Sequence, residues 1–177
     1  MFGKDESPEI RLKKKFWKEL QSDMTVMLGL TGVDDDRTRP MTAQVDVPEG
    51  ADKEDGGPIY FFASRDEGIG ADLGESAKAI ATFASKGHDF FASIHGTLRD
   101  ATAQRDVIER LWNPIVDSWY KEGKDDPVLM LIKFDATEAQ LWEADKMGTL
   151  KAAALKWAFD IDPGDKLKQE HQAEVSL

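Results

Sequence analysis

Leu12, Phe16 and Leu20 recur every fourth residue near the start of the chain, and Ile10 and Trp17 widen the stripe, which predicts an amphipathic helix. Ser7 supplies an N-cap, Pro8 suits the first helical position, and Glu9 suits the positive end of the dipole. The pattern then changes from a period near 3.6 to a period of two. Val26, Leu28 and Leu30 alternate with Thr25, Met27 and Gly29, and after a turn holding Asp34, Asp35 and Asp36 a second alternation runs from Met41 to Val47. Pro40 cannot donate to a ladder, so this second strand belongs at an edge or begins there. Ile59 to Ala63 is continuously apolar, as in a strand covered on both faces. Ala79 to Ala84 and Phe90 to Leu98 predict two more strands around a turn at 86–89, with Gly96 marking a bulge or a close backbone approach. A helix follows from Ala103 to Trp112, with Thr102 as its expected cap, and Pro114 ends it. Val128 to Phe134 is a strand that Ala139 to Trp142 continues after a kink. A last helix is expected over Thr149 to Phe159.

Strands arriving in a block, flanked by helices, lack the regular alternation of a parallel α/β sheet. The expected class is mainly β with peripheral helices (α+β), an antiparallel barrel or sheet. The expected organisation is one domain over residues 1–160. Residues 161–177 form a polar C-terminal tail, ordered only if something ties it down.

Composition narrows the function. The formal charge of −11 is the wrong sign for phosphate backbones and for anionic membranes, so neither nucleic acid nor membrane is an expected partner. The absence of cysteine removes disulfides, thiolate catalysis and iron–sulfur clusters. With no signal-like apolar run at the amino terminus and no stretch of spanning length, a soluble, cytoplasmic protein is expected. The basic run Arg11, Lys13, Lys14, Lys15 and Lys18 is either a solvated helix face or a docking patch for an acidic partner.

Chemical motifs are sparse. The three histidines, His88, His95 and His171, make no metal-ligand spacing, and no metal site is expected. There is no nucleophile elbow and no phosphate loop of the GxxxxGK[ST] type. Gly68-Ile69-Gly70-Ala71-Asp72-Leu73-Gly74 looks superficially like a dinucleotide fingerprint, but it has the wrong spacing and no βαβ unit around it. It remains a glycine-rich loop whose amides could approach an anion. Trp112, Trp119 and Trp142 fit either core packing or the wall of a flat ligand.

The order of these pieces resembles the general stress protein branch of the pyridoxamine 5′-phosphate oxidase-like, FMN-binding split-barrel family. Arg39-Pro40-Met41-Thr42 is similar to the family's arginine-started strand. Ile59-Tyr60-Phe61-Phe62-Ala63-Ser64-Arg65-Asp66 is similar to its next strand and phosphate loop. Leu111-Trp112-Asn113-Pro114, Trp119-Tyr120, Gly123 and Asp125-Asp126-Pro127 resemble the stretch most particular to the stress branch. Glu138-Ala139-Gln140-Leu141-Trp142 resembles the terminal strand. The resemblance implies an antiparallel split β-barrel that holds FMN, with FAD as the alternative, at a homodimer interface. By it, Arg39 would pair with the phosphate, Met41 and Thr42 would meet the ring edge, Phe62, Ala63 and Ser64 would line the ring and ribityl chain, and Trp142 would cover the ring from the partner subunit. Arg65 or the amides of the following loop would help with the phosphate.

Two departures shape the expected function. The family's phosphate-loop lysine is missing, with Glu67, Gly68 and Ile69 in its place, and Glu67 adds charge of the wrong sign. The Arg-x-His segment of the true pyridoxamine phosphate oxidases is also missing after Trp142, where Glu143-Ala144-Asp145-Lys146 stands, which argues against vitamin B6 oxidation. The expectation is an FMN-binding stress protein acting as a flavin oxidoreductase on an unnamed small-molecule redox partner. The alternative is a non-catalytic flavin sensor or store with weakened or lost cofactor binding. A third reading gives the barrel a deazaflavin or haem instead. His95 is the one candidate acid or base.

Overall fold

In the computed structural model, which describes residues 6–34, 37–144 and 171–177, the first helix begins where its signals put it. Helix α1 spans Pro8–Asp23; the Ser7 hydroxyl accepts from the Ile10 amide, and Met24 closes the far end at φ 56°. Leu12, Phe16, Trp17 and Leu20 are buried, while Ile10 stays exposed. The predicted helix over 149–159 lies outside the described residues, as do two of the three aspartates in the turn after the first strand.

Among the described residues eight strands follow: β1 (Thr25–Leu30), β2 (Arg39–Thr42), β3 (Gln44–Val45), β4 (Ile59–Ser64), β5 (Ser76–Ala84), β6 (Phe90–Asp100), β7 (Leu129–Glu143) and β8 (Gln172–Ser176). They hydrogen-bond in the order β2-β1-β5-β6-β7-β4-β3, with β8 also on β7, and every pairing is antiparallel. β2 and β3 stand at opposite ends of that order, yet only Ala43 separates them. A sheet whose two ends are consecutive in the chain must curl until those ends meet. The alternation read as one strand from Met41 is therefore divided: its first part pairs with β1, its second with β4. Ala43 at the joint is 1% exposed, and its amide donates to the Met24 carbonyl at 2.7 Å. Pro40 is tolerated because β2 is an edge strand. The result is the expected mainly antiparallel split barrel with a few helices.

Gly96 marks both a bulge and a close approach. The β6–β7 register shifts after His95, leaving Thr137 unopposed, and a Cβ on Gly96 would lie 2.4 Å from the Asp135 carbonyl oxygen. This is the kink expected between Phe134 and Ala139, accommodated within one continuous β7.

The inward residues of α1 and the strands form the main core, including Phe16, Leu28, Phe61, Phe90, Phe134 and Leu141. A second cluster covers the outer face of β4 and β7, where Tyr60, Leu129 and Leu131 pack under helices α3 (Arg105–Leu111) and α4 (Pro114–Asp117). Gln104, not Thr102, precedes α3. The Thr102 hydroxyl is occupied instead: it donates to Asp100 and accepts from the Leu131 amide.

The described part of the segment read as a polar tail is part of the sheet. β8 pairs with β7 from Glu138 to Trp142 and buries Ala173 and Val175. α1 packs across it, and the basic helix face is drawn into the same junction: Arg11 and Lys15 each hold Glu143 at 2.7 Å, with His171 Nδ1 at 3.4 Å. Burial works against ionisation of Glu143, but the hydrogen bonds from Lys15 and Arg11 overcome it and hold the carboxyl at about 2. At least these two members of the basic cluster therefore serve as intramolecular staples. No helix among the described residues is long and apolar enough to cross a membrane.

Candidate functional site

The curled sheet leaves one seam unzipped. The Asp46 amide donates to the Pro58 carbonyl at 2.9 Å, and Gln44 opposes Tyr60, so even-numbered residues of β4 turn their backbone groups toward β3. The Arg65 amide donates to the Val128 carbonyl at 2.8 Å, which turns odd-numbered residues toward β7. β3 ends at Gln44. Beyond it, among the described residues, no strand pairs with the edge formed by the backbones of Phe62 and Ser64. β2 packs opposite this edge, paired on its other side with β1. Between β2 and the upper half of β4 the ladder is missing, and this unpaired seam, the slit, is bordered by two strand edges, each of which carries a row of N–H donors and C=O acceptors.

Arg39 and Met41 share one face of β2 and are half-buried, while Pro40 and Thr42 point the other way and are exposed. Met41 and Ala63 both pack against the main core, on facing lips of the slit. The short helix α2 (Gly68–Asp72) closes one end. It sits so close to β4 that a Cβ on Gly70 would fall 1.9 Å from the Ser64 carbonyl oxygen. The glycine run thus serves close packing of a helical turn on a strand. At the end of α2, the Asp72 carboxylate lies 3.9 Å from Arg39 Nη2.

The two candidate arginines have different positions. Arg65 donates to Asp100 and to Thr102 Oγ1, both at 2.9 Å, so it reaches across the end of β7, away from the slit. Burial would raise the Asp100 carboxyl, but hydrogen bonds from Thr102 and Arg65 hold it below the usual carboxylate range. Arg39 stands on the lip, 30% exposed.

The aromatic candidates also separate. The Phe62 side chain belongs to the outer cluster and meets Trp112 edge-on at 5.7 Å, so only its backbone faces the slit. Tyr120 backs this arrangement by donating from its hydroxyl to the Ala63 carbonyl at 2.8 Å. Burial, with a contribution from Asp126, pushes the Tyr120 phenol up to about 12. Ser64 is half-buried, and its hydroxyl accepts from the Asp66 amide at 3.3 Å. Trp142 is elsewhere. It pairs with Phe91 and Gln172, and it lies about 36 Å further along β7 than Leu131, which opposes Phe62. His95 is exposed on β6 between Ile80 and Glu138, off the slit. The structure therefore brings together Arg39, Met41, Thr42, Phe62, Ala63 and Ser64, and sets Arg65, Trp142 and His95 apart. Asp72 joins the group with no signal in the sequence, since its place depends on how α2 folds onto β4.

Solved structures share this architecture. A crystal structure assigned to the general stress family, from Xanthomonas campestris pv. campestris, is 51% identical, covering 77% of this chain and 89% of its own, with a TM-score of 0.68. The general stress FMN/FAD binding protein of Xanthomonas citri is 50% identical, covering 77% of this chain and 91% of its own, also at 0.68. A general stress protein 26 from Jannaschia sp. is 25% identical, covers 94% of this chain and 99% of its own, and has a TM-score of 0.72. No curated protein matches the sequence. The sequence pattern described as pyridoxamine 5′-phosphate oxidase like matches residues 12–159, and on that extent of match this chain belongs to the pyridoxamine 5′-phosphate oxidase-like family.

Proposed function

We propose that the slit between β2 and β4 binds a flavin nucleotide, FMN in first place and FAD as the alternative, and that the chain acts as a flavin-binding member of the general stress group. The observation that carries this reading is the unzipped seam, which offers the backbone of Phe62 and the amide of Ser64 opposite a guanidinium at Arg39. That donor set fits the group. A planar heterocycle with a polar edge can take the place of a missing strand, and a guanidinium suits a phosphate. Arg39 and the Ser64 hydroxyl would hold the phosphate end, and Met41, Thr42 and the β4 edge would hold the ring. A bound flavin supplies hydride or single-electron transfer, while the chain supplies position and electrostatics.

A second copy of the chain completes the reading. Trp142 is too far along β7 to cover its own slit, so a ring covered by it needs a symmetric dimer. Ile115 and Trp119, 75% and 78% exposed, are apolar surface of the kind that association buries.

The lips, residues 39–42 and 61–65, contain no histidine. The non-catalytic alternative, a flavin store or sensor, is motivated instead by Glu67, Gly68 and Ile69 standing where the family carries its phosphate-loop lysine. Steady NADH or NADPH oxidation by the flavin-loaded protein would decide for oxidoreductase turnover. The binding test is an absorbance spectrum of the purified protein, followed by FMN titration. Arg39→Ala is expected to weaken binding by about ten- to a hundredfold. A colourless wild type that quenches no FMN fluorescence overturns the proposal.

A further inference from the structure

Arg39 faces a carboxylate as well as the slit. Asp72 ends α2, its side chain is 49% exposed, and its Oδ2 stands 3.9 Å from Arg39 Nη2. That separation is too long for a hydrogen bond but well inside the range of a strong field. α2 is held firmly, because Gly70 lies against the Ser64 carbonyl and Ile69 and Leu73 are buried in the main core. The backbone that carries Asp72 is therefore held beside Arg39 when an anion arrives. The other arginine of the neighbourhood, Arg65, is engaged with Asp100 and Thr102 on the far side of β4. Asp66 and Glu67, both exposed, add negative charge to the turn leading into α2.

We propose that Asp72 is an affinity- and specificity-setting residue of the slit: it competes with the ligand's phosphate for the Arg39 guanidinium and so lowers the preference for a doubly charged phosphomonoester over an uncharged flavin. The proposal rests on the flavin reading above. Any anion that docks on the Arg39 fork stands within several ångströms of a like charge. A ligand without a phosphate does not meet that repulsion.

The test is a fluorescence titration of wild type, Asp72→Asn and Arg39→Ala with FMN and with riboflavin at low ionic strength, each variant's fold being checked by circular dichroism melting. Asp72→Asn is expected to lower the FMN dissociation constant about three- to tenfold and to leave that of riboflavin unchanged. If Asp72→Asn leaves FMN binding unchanged or weaker while Arg39→Ala still weakens it, the inference fails and the flavin reading stands. If riboflavin and FMN tighten equally, the effect is not on the phosphate, and the inference fails. If neither ligand binds any of the three proteins, both readings fall.

Discussion

β7 has one edge with two partners, and the contrast between the junction at its far end and the slit beyond β4 explains much of the molecule. At the far end, β8 zips onto β7, α1 packs across it, and Glu143 draws in Arg11 and Lys15. Strand edge and charges are both satisfied from within. At the slit, the Phe62 backbone and the Ser64 amide have no strand to pair with, and Arg39 stands 3.9 Å from Asp72 at the rim. Edges of this kind are normally covered, twisted away or charged. A fold that staples one seam and leaves another unzipped separates the part that carries its stability from the part left open.

Breaking the stapled side should cost the most. Glu143→Gln leaves Arg11 and Lys15 without their counter-charge and should destabilise the fold by about 2 kcal/mol in urea or thermal unfolding. The pH dependence has a definite sign. The carboxyl is held at about 2 in the fold against an ordinary value of 4.5, so its contribution is complete above 4.5 and is lost as pH falls from there toward 2. Unfolding midpoints measured across that window should flatten in the variant. An unchanged acid limb would show that Glu143 does not carry it.

Crowding the open side should cost less stability and more binding. Gly70→Ala drives a methyl group into the Ser64 carbonyl, so α2 must shift. A loss of about 1–2 kcal/mol is expected, together with weaker FMN binding. Equal binding by the variant would remove α2 from the account of the site. The smallest effect is expected at Arg65. Arg65→Gln loses exposed contacts to Asp100 and Thr102, a change of less than about 1 kcal/mol, with the FMN dissociation constant within about twofold of wild type. A tenfold loss of FMN affinity would return Arg65 to the phosphate site.

Much of the barrel was legible in the chain because burial on one face writes itself as alternation. β1 and β6 follow from it, Pro40 marks the edge, and Gly96 marks the bulge. β8 carries the same alternation, with Ala173 and Val175 inward, but it is short and follows a charged stretch, so it reads as tail. The division of the second strand at Ala43 follows from closure of the whole sheet, which no local window contains. The site was legible only through the family likeness, and only as a set of positions. Arg39 and Arg65 are the same residue type on neighbouring elements. Which one faces the slit depends on the edge each strand turns outward, and that is fixed by pairing with residues far away in the chain. The pairing of Arg11 and Lys15 with Glu143 is hidden for the same reason.

Ala43 has a consequence for the slit. One residue, with two peptide units, joins the two strands that diverge there, and covalent geometry holds the Cα atoms of Thr42 and Gln44 within about 7 Å of each other. How far the mouth gapes is therefore governed by the backbone tether as well as by soft packing. Ala43 fixes the point at which the two strands part, while the ladders to β1 and β4 set how far they stand apart beyond it.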